Sequence, residues 1–572
     1  MGGSQHCLTY GDGQRSERRS ARHLTRRGFL RGSAVAGLSM AALSSCGKDG
    51  VIEGGDPVEN PTIRYGVGAP DFPIDPQVNS NTAGIPENVL ETLLTIDSGT
   101  GHLQPLLCTA LPEVSEDGLT YMLELRDDVI FHDGTPLTSE DVVFTFTRMM
   151  LPATQATCAD AFSLLAGSDE VRTGATEELE GVRAIDDTHV SMTLKEPCSY
   201  WPWRLAQPTA SIYPHEACAN LSDSWGWDNN LIGTGPYKMR AYQYPNDDLG
   251  VSGYATIEAN DEYHGGRPAI HTVTFAFTPS ASDRVESYRS GLVDCCLLDE
   301  SALQSLRYDD QLLDRVSCAP QSKARYLRFN LKNGQPEEYL QEPSFRQALS
   351  LAIDRPSLCT YIHFGSTVPA AGLIPRGVFG NNPSLDALPY DVEGATELLE
   401  SIGLDEASRG ALTLTIQSMK GFENEANAIA TCWGKLGFPV TVETLSGGTW
   451  NDYRGRGILC NSIDDAASDL YNGLRLLQDS FTSEAAKTNS TFYASENFDN
   501  LLAEALSATD LDTAESLLQE ADSLIAREDC AIIPLCWYQT PFLVGTRIGG
   551  FSAVQSAPRF ADMWEASDEE AD

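Results

Sequence analysis

Several side-chain groups in this 572-residue chain have types and spacings that could support chemistry. His132-Asp133-Gly134 sets an imidazole beside a carboxylate, a pairing used for proton transfer or for holding a metal. Gly233-Thr234-Gly235 offers backbone amides and a hydroxyl as a phosphate cradle would, yet it lacks the Lys and the following helix of a P-loop. Trp450 follows Gly447-Gly448 and is read as lying in a loop after a strand, where an aromatic ring can wall a ligand pocket. No G-x-S-x-G, H-E-x-x-H or Cys/His signature is present. A hydrolase would need a nucleophile with a base in reach, so no catalytic residue and no cofactor is assigned.

The fourteen cysteines divide into kinds. Cys46 ends Leu43-Ser44-Ser45-Cys46, which resembles a bacterial lipobox, where the thiolate is the nucleophile that takes an alkyl group. Ahead of it lie Thr25-Arg26-Arg27-Gly28-Phe29-Leu30-Arg31 and a mildly apolar stretch from Gly32 to Leu43. A charged n-region, a short h-region and small residues describe an export signal, and the paired Arg before Phe-Leu resembles a twin-arginine leader. Residues 1–45 are thus read as a removable leader, and 46–60, Gly-rich and acidic with Pro57, as a tether. The expected location is the outer face of the cytoplasmic membrane, held by a lipid on Cys46.

Twelve cysteines follow Cys46. An exported compartment permits disulfides, with Cys530–Cys536 and Cys158–Cys198 as the pairs considered; buried free thiols acting as small hydrophobes are the alternative. None has CxxC spacing, and no histidine follows His363, so neither a zinc nor a nickel site is expected.

Charge and length narrow the function classes further. The net charge is −42, but the first 45 residues carry seven Arg against Asp12 and Glu17, which leaves −47 on the other 527. A body that acidic repels a polyphosphate backbone, which excludes nucleic-acid binding. At 41% hydrophobic residues the chain can supply a core, and its length calls for more than one lobe, since single cores stop growing near roughly 250–300 residues.

The elements that must position these groups alternate between strand and helix. Ile63–Val67 reads as a first strand, followed by an Asp75-Pro76 turn, with Glu87–Leu94 bearing a helical apolar stripe. Tyr121–Arg126 alternates as a strand, and Ser139-Glu140-Asp141 opens a helix with acids over its positive end. Strands are expected at 272–277, near 291–294 and at 326–331, and helices at 281–290 and 344–353. The alternation returns as strand 412–417, helix 423–436 carrying Trp433 as a core residue, strand 439–445, helix 512–527 and strand 531–535. Such alternation predicts an α/β architecture.

Six blocks in order carry a family likeness. Leu103-Gln104-Pro105-Leu106 runs through Ser115-Glu116-Asp117-Gly118-Leu119-Thr120-Tyr121 to Phe131-His132-Asp133-Gly134 and Ser139-Glu140-Asp141-Val142. Then come Gly233–Tyr237, Asn260–Pro268, Tyr326–Asn330, Phe345–Arg355 and Ile533-Pro534-Leu535. The chain from about Ile63 to Phe551 resembles the family 5 solute-binding proteins of ABC importers, the oligopeptide, dipeptide and nickel group. The resemblance implies a type II periplasmic-binding-protein fold, α/β, with two lobes and three domains around a ligand cleft. In it 61–100, 229–322 and 530–566 form a discontinuous lobe I core, 101–228 a lobe I accessory domain, and 323–529 lobe II. It also implies a monomer that captures a small solute, a short peptide first, and delivers it to a permease.

The same likeness assigns His132-Asp133-Gly134 and Asp75-Pro76 to structural turns. It places Asn81, Thr82 and Thr234 near the cleft. Peptide binders of the family show an aromatic residue and an Asp for the peptide ammonium in the stretch that here reads Gly457 to Asp469. This chain has Asn461 and Ser462 around the aromatic position and keeps acids at Asp464, Asp465 and Asp469. If Asp464 or Asp465 takes that role, an amino-terminated ligand follows, since such a hydrogen bond is worth about 1.5–3 kcal/mol; otherwise these acids belong to a solvated loop. Other solutes (a metal chelate, an oligosaccharide, an opine) and a non-transport sensory receptor are the alternative readings.

Overall fold

A computed structural model of the chain describes residues 60–245, 252–488, 490–554 and 557–566. The leader, Cys46 and the tether up to residue 59 lie outside them. The largest element is an eleven-stranded sheet. Its strands are β1 (Thr62–Val67), β2 (Tyr237–Gln243), β3 (Tyr254–Ala259), β4 (Thr272–Phe277), β5 (Cys295–Leu297), β6 (Val316–Arg328), β7 (Thr367–Pro369), β8 (Leu414–Met419), β9 (Val440–Leu445), β10 (Asn461–Ala467) and β11 (Ile532–Val544). The spatial order is β9-β8-β10-β6-β11-β5-β1-β4-β3-β2, with β7 paired to β11.

This order joins two half-sheets. In the first, β1 runs parallel to both β4 and β5, and β3 and β2 close the edge as antiparallel neighbours. In the second, β8 runs parallel to β9 and β10. Parallel strands need crossover connections, usually helices, which is why the sequence alternates strand with helix. Between the halves lie β6 and β11, each thirteen residues long and mutually antiparallel. The parts of β6 and β11 near Val316 and Leu543 belong to the first half; those near Arg328 and Ile532 belong to the second.

Each half has its own core. Ile63, Tyr65, Phe275, Phe542 and Phe560 fill the first, and Leu327, Leu349, Trp433, Ile463 and Ile533 the second. Trp433 is fully buried in the helix Glu423–Gly434 and donates its indole N–H to the Leu349 carbonyl at 3.0 Å. A further core runs from Leu93–Ile212 into the Ala370–Trp537 region. The 113–193 stretch adds a separate four-stranded sheet, and Trp203 meets Phe379 at 4.5 Å between ring centroids. The same stretch is tied to the first half by polar contacts. Asp75, almost wholly buried, accepts from Arg148 and from the Tyr213 hydroxyl, each at 2.7 Å, and from the Gln77 amide at 2.9 Å.

Local signals mostly gave the observed elements, with differences that have physical causes. The helix opening at Ser139 carries a full capping box between Thr138 and Asp141. The apolar stripe of 87–94 is not a long helix. Only Pro86–Val89 is helical, Leu90 is extended, and Leu94 begins a short strand. Leu90, Leu93 and Leu94 are all buried, so the stripe reports a segment enclosed by neighbours rather than one helical face. The strand expected at 291–294 starts later, at Cys295, because Gly291 turns the chain with φ of 70°. Trp450 lies not in a loop but in a helix, Gly447–Gly455, capped by Ser446.

All twelve cysteines from Cys108 to Cys536 are free thiols. The two pairings considered are not formed: Cys530 Sγ faces the Ile532 carbonyl and Cys158 Sγ the Gln77 carbonyl. Most of these thiols are buried, in keeping with small apolar side chains in a large core. Replacing Trp433 with Ala should remove about 3–5 kcal/mol of stability. Urea unfolding is the check: the midpoint should fall with an unchanged slope, and an unmoved midpoint would show that Trp433 does not anchor this core.

Candidate functional site

The chain passes between the half-sheets on β6 and β11, and their pairing breaks there. Val316–Pro320 pairs with Leu543–Gln539, and pairing resumes only at Ala324 with Trp537. Gln321, Ser322 and Lys323 therefore face the single residue Tyr538. Such a bulge bends the strands and re-aims side chains. Gln321 donates to Thr540 at 2.9 Å, and Ser322 donates to the Leu470 carbonyl at 2.7 Å.

Lys323 lies 4.1 Å above the Tyr538 ring and 3.0 Å from Asp465. Arg325 donates to both oxygens of Asp465, at 2.8 and 3.2 Å, and to Glu425 at 2.8 Å, with its plane 4.2 Å from the Phe422 ring. The Tyr538 hydroxyl donates to Asp465 at 3.2 Å. Burial opposes the Asp465 charge, but Arg325 and Lys323 outweigh it and hold the carboxyl below its ordinary value. Burial together with the Asp465 charge pushes the Tyr538 hydroxyl up, against the pull of Arg325.

Asp464 belongs to a neighbouring group. It lies 3.3 Å from Arg328 and 3.7 Å from Arg454. Arg328 donates to Ser462 at 2.7 Å and sits 5.6 Å from the Trp450 ring. Trp450 is buried against Leu445 and Leu459. Asn461, fully buried, donates to the carbonyls of Gln335 and Thr415. Four of the sequence-selected residues, Trp450, Asn461, Asp464 and Asp465, thus come from one region around β10.

The other three lie in the first half. Thr234 is buried and donates to Glu91 at 2.8 Å, and Glu91 also takes the Tyr263 hydroxyl at 2.8 Å and His264 at 2.9 Å. Glu91 and Tyr263 line a cavity of about 320 Å³ together with Arg267 and Arg559. The glycines flanking Thr234 allow close approach rather than a phosphate cradle, since a Cβ at Gly233 would stand 2.2 Å from the Val89 carbonyl oxygen. Asn81 is exposed and donates to the Ala69 carbonyl at 3.1 Å, while Thr82 is buried. Among the described residues no hydrogen bond or ion pair joins this trio to the β10 group. His132 clasps the same glycine segment, with one ring nitrogen at the Gly235 carbonyl and the other at the Gly233 amide, and burial depresses it to about 4.

Sequence reasoning missed Lys323, Arg325, Arg328, Arg454 and Tyr538, the partners of the selected acids. It also missed a buried meeting of His363, Glu425 and Cys536, residues too far apart in sequence to make a motif. Burial disfavours the charged imidazole of His363, but contacts with Cys536, Glu300 and Glu425 hold it raised, at about 11.

Residues 102–459 match the family of bacterial extracellular solute-binding proteins, family 5, middle region. The chain belongs to that family. A probable deoxycholate-binding periplasmic protein, YgiS of Escherichia coli K12, is 28% identical over 512 residues, covering 86% of this chain and 90% of its own. The periplasmic oligopeptide-binding protein OppA of the same organism is 26% identical, covering 82% and 86%. Among solved structures, the unliganded open form of the murein tripeptide binding protein MppA superposes with a TM-score of 0.78 at 21% identity, covering 89% of this chain and 98% of its own. The expected type II periplasmic-binding-protein fold is therefore the fold observed. Family 5 members bind solutes for ABC importers and are not enzymes.

The cation–carboxylate cluster sets a stability prediction. Arg325→Met leaves Glu425 and Asp465 without their shared guanidinium and should cost about 3–5 kcal/mol. Asp465→Asn should cost less, because Arg325 keeps Glu425. Denaturant titrations of the two variants at neutral pH test the ranking, and equal losses would contradict the shared role of Arg325.

Proposed function

We propose that the protein captures a short peptide between its two half-sheets and hands it to the permease of an ABC importer. It does so as a monomer held at the outer face of the cytoplasmic membrane by a lipid on Cys46. The observation that carries this reading is the passage between the halves on two strands whose register shifts between Pro320 and Ala324 and again between Arg325 and Tyr326. Two bodies joined by so few residues can swing together by small backbone rotations there, and that is how hinge-closing binding proteins enclose a ligand. A solute that touches both halves stabilises the closed arrangement through contacts the open one lacks. The peptide assignment follows from relatives such as OppA, named as an oligopeptide-binding protein.

Asn81, Thr82 and Thr234 from one side, and Trp450, Asn461, Asp464 and Asp465 from the other, are the proposed contacts. One observation favours a second solute class, an amphipathic carboxylate of the bile-acid kind. Asp465 is occupied by Lys323 and Arg325 and Asp464 by Arg328 and Arg454, so neither is free to neutralise a ligand ammonium without releasing a protein cation. Arg454 is about two-fifths exposed and is the better placed to receive an anion. YgiS is named as probably deoxycholate-binding.

Thermal melting with a peptide library and with deoxycholate separates the two. A ligand at a hundred times its Kd adds about 2.7 kcal/mol to the native state, which raises the melting temperature by a few degrees. Saturable stabilisation by peptides alone supports the first reading; stabilisation by deoxycholate with none from peptides replaces it with the second. For the anchor, Cys46→Ala should move the exported protein from the membrane pellet to the soluble fraction. Full retention in the pellet would rule out lipid attachment at Cys46.

A further inference from the structure

Behind the Arg325 cluster, β11 brings Cys536 to the helix Glu423–Gly434 and to the turn of helix that ends at His363. We propose that His363, Glu425 and Cys536 form a buried site for one divalent transition metal of the zinc class, with the neighbouring Cys359 thiol able to become a fourth donor by moving towards it. The donor atoms of the first three all lie within 4.8 Å of one another. Each of the four side chains belongs to a residue no more than 4% exposed. A thiolate, an imidazole and a carboxylate are the mixed nitrogen, sulfur and oxygen set that a borderline-soft cation accepts.

Tetrahedral bonds of zinc length place ligand atoms roughly 3.3–3.8 Å apart. His363 Nε2 and Glu425 Oε1 are 3.3 Å apart, already at that spacing. The Cys536 sulfur needs to close on the other two donors by about 1.3 Å at most. Cys359 is also buried and neighbours Cys536, but it stands outside the 4.8 Å group, so its thiol has to move inward to ligate.

The outer partners point the same way. Metal-bound imidazoles usually present their second nitrogen to a carboxylate, which fixes the tautomer. With Nε2 turned to the metal, His363 Nδ1 is directed at Glu300, 3.5 Å away and on the first half of the molecule. That nitrogen is buried and has no hydrogen-bond partner within normal distance. Glu425 is held from its other oxygen, Oε2, by Arg325 at 2.8 Å, which leaves Oε1 as the ligating atom. On binding, the coordinating thiols and the imidazolium release their protons to solvent, so the metal replaces proton charge in the enclosure. The inference is independent of which solute the protein carries.

The rival use of the same atoms is a Cys359–Cys536 disulfide, which would consume the sulfur donors. The test uses the full chain, produced in zinc-supplemented cells, purified under a phosphine reductant and freed of loose metal by gel filtration. Stoichiometric zinc by mass spectrometry of the elements is expected, and His363→Gln and Cys536→Ser should each lose it. Cobalt loading should give a thiolate-to-metal charge-transfer band that Cys536→Ser removes. Should Cys536→Ser fail to fold by circular dichroism, Glu300→Gln is the milder variant, expected to weaken metal affinity about 10–100-fold while the fold remains. Folded, reduced protein without zinc overturns the proposal. So do undiminished zinc in His363→Gln, unchanged affinity in Glu300→Gln, or a mapped Cys359–Cys536 disulfide in the protein as isolated.

Discussion

The rest of this structure depends on one constraint: two antiparallel strands must serve two sheets at once. Near Val316 and Leu543, β6 and β11 satisfy the backbone of the first half, with β5 as the next neighbour. Near Arg328 and Ile532 they satisfy the second, with β10 beside β6 and β7 beside β11. A single regular ladder would lock the two sheets into one twisted surface. The break opposite Tyr538 lets each half keep its own twist. It also leaves three residues of β6 without ladder partners on β11, and their side chains turn to other work: Gln321 to Thr540, Ser322 to Leu470 and Lys323 to Asp465.

Charge follows from the same geometry. Acids outnumber bases by 81 to 39, so most carboxylates must face water. Some of those that cannot are met locally, Asp75 by Arg148 and Glu91 by Thr234, Tyr263 and His264, while those around β10 are met by cations drawn from the crossing strand. Arg325 and Lys323 neutralise Asp465 and Glu425, and Arg328 faces Asp464. The acids singled out in the sequence as a possible ammonium site are therefore already partnered. Apart from Arg454, their bases sit on β6, and Arg325 lies 140 residues before Asp465.

That distance marks the boundary of what was legible. Features fixed within a few residues were readable: the helix start at Ser139-Glu140-Asp141 and the strand–helix alternation that demands parallel pairing. The family blocks also gave the fold, because they fall on turns and cores. What was not readable depends on contacts between distant segments. The 87–94 stripe matched a helix because burial on all sides produces apolar residues at helical spacing as readily as an amphipathic face does. Trp450 was placed in a loop because two glycines preceded it, yet Ser446 caps a helix there. His363, Glu425 and Cys536 meet because β7 pairs with β11 and the helix Glu423–Gly434 brings Glu425 alongside, and no spacing rule spans such separations.

Buried arginines show how an acid-rich chain secures the strand that crosses. Arg346 donates to the Cys530 carbonyl at 2.9 Å, and Arg355, wholly buried, donates to the Pro534 carbonyl at 2.7 Å and to Ser350. Both hold the start of β11 just before it passes to the other half. Neither guanidinium has a carboxylate within ion-pair distance among the described residues, and burial pulls both below their ordinary values. Each offers a rigid fork of donors to backbone carbonyls at or just before the entry of β11. A lysine there would present a point charge without that fork. The cations around the crossing pair thus do two kinds of work: those on β6 offset acids, and those beneath β11 bind backbone carbonyls at its start. Both act at the second-half end of the crossing pair, on the side of the register break away from Val316 and Leu543.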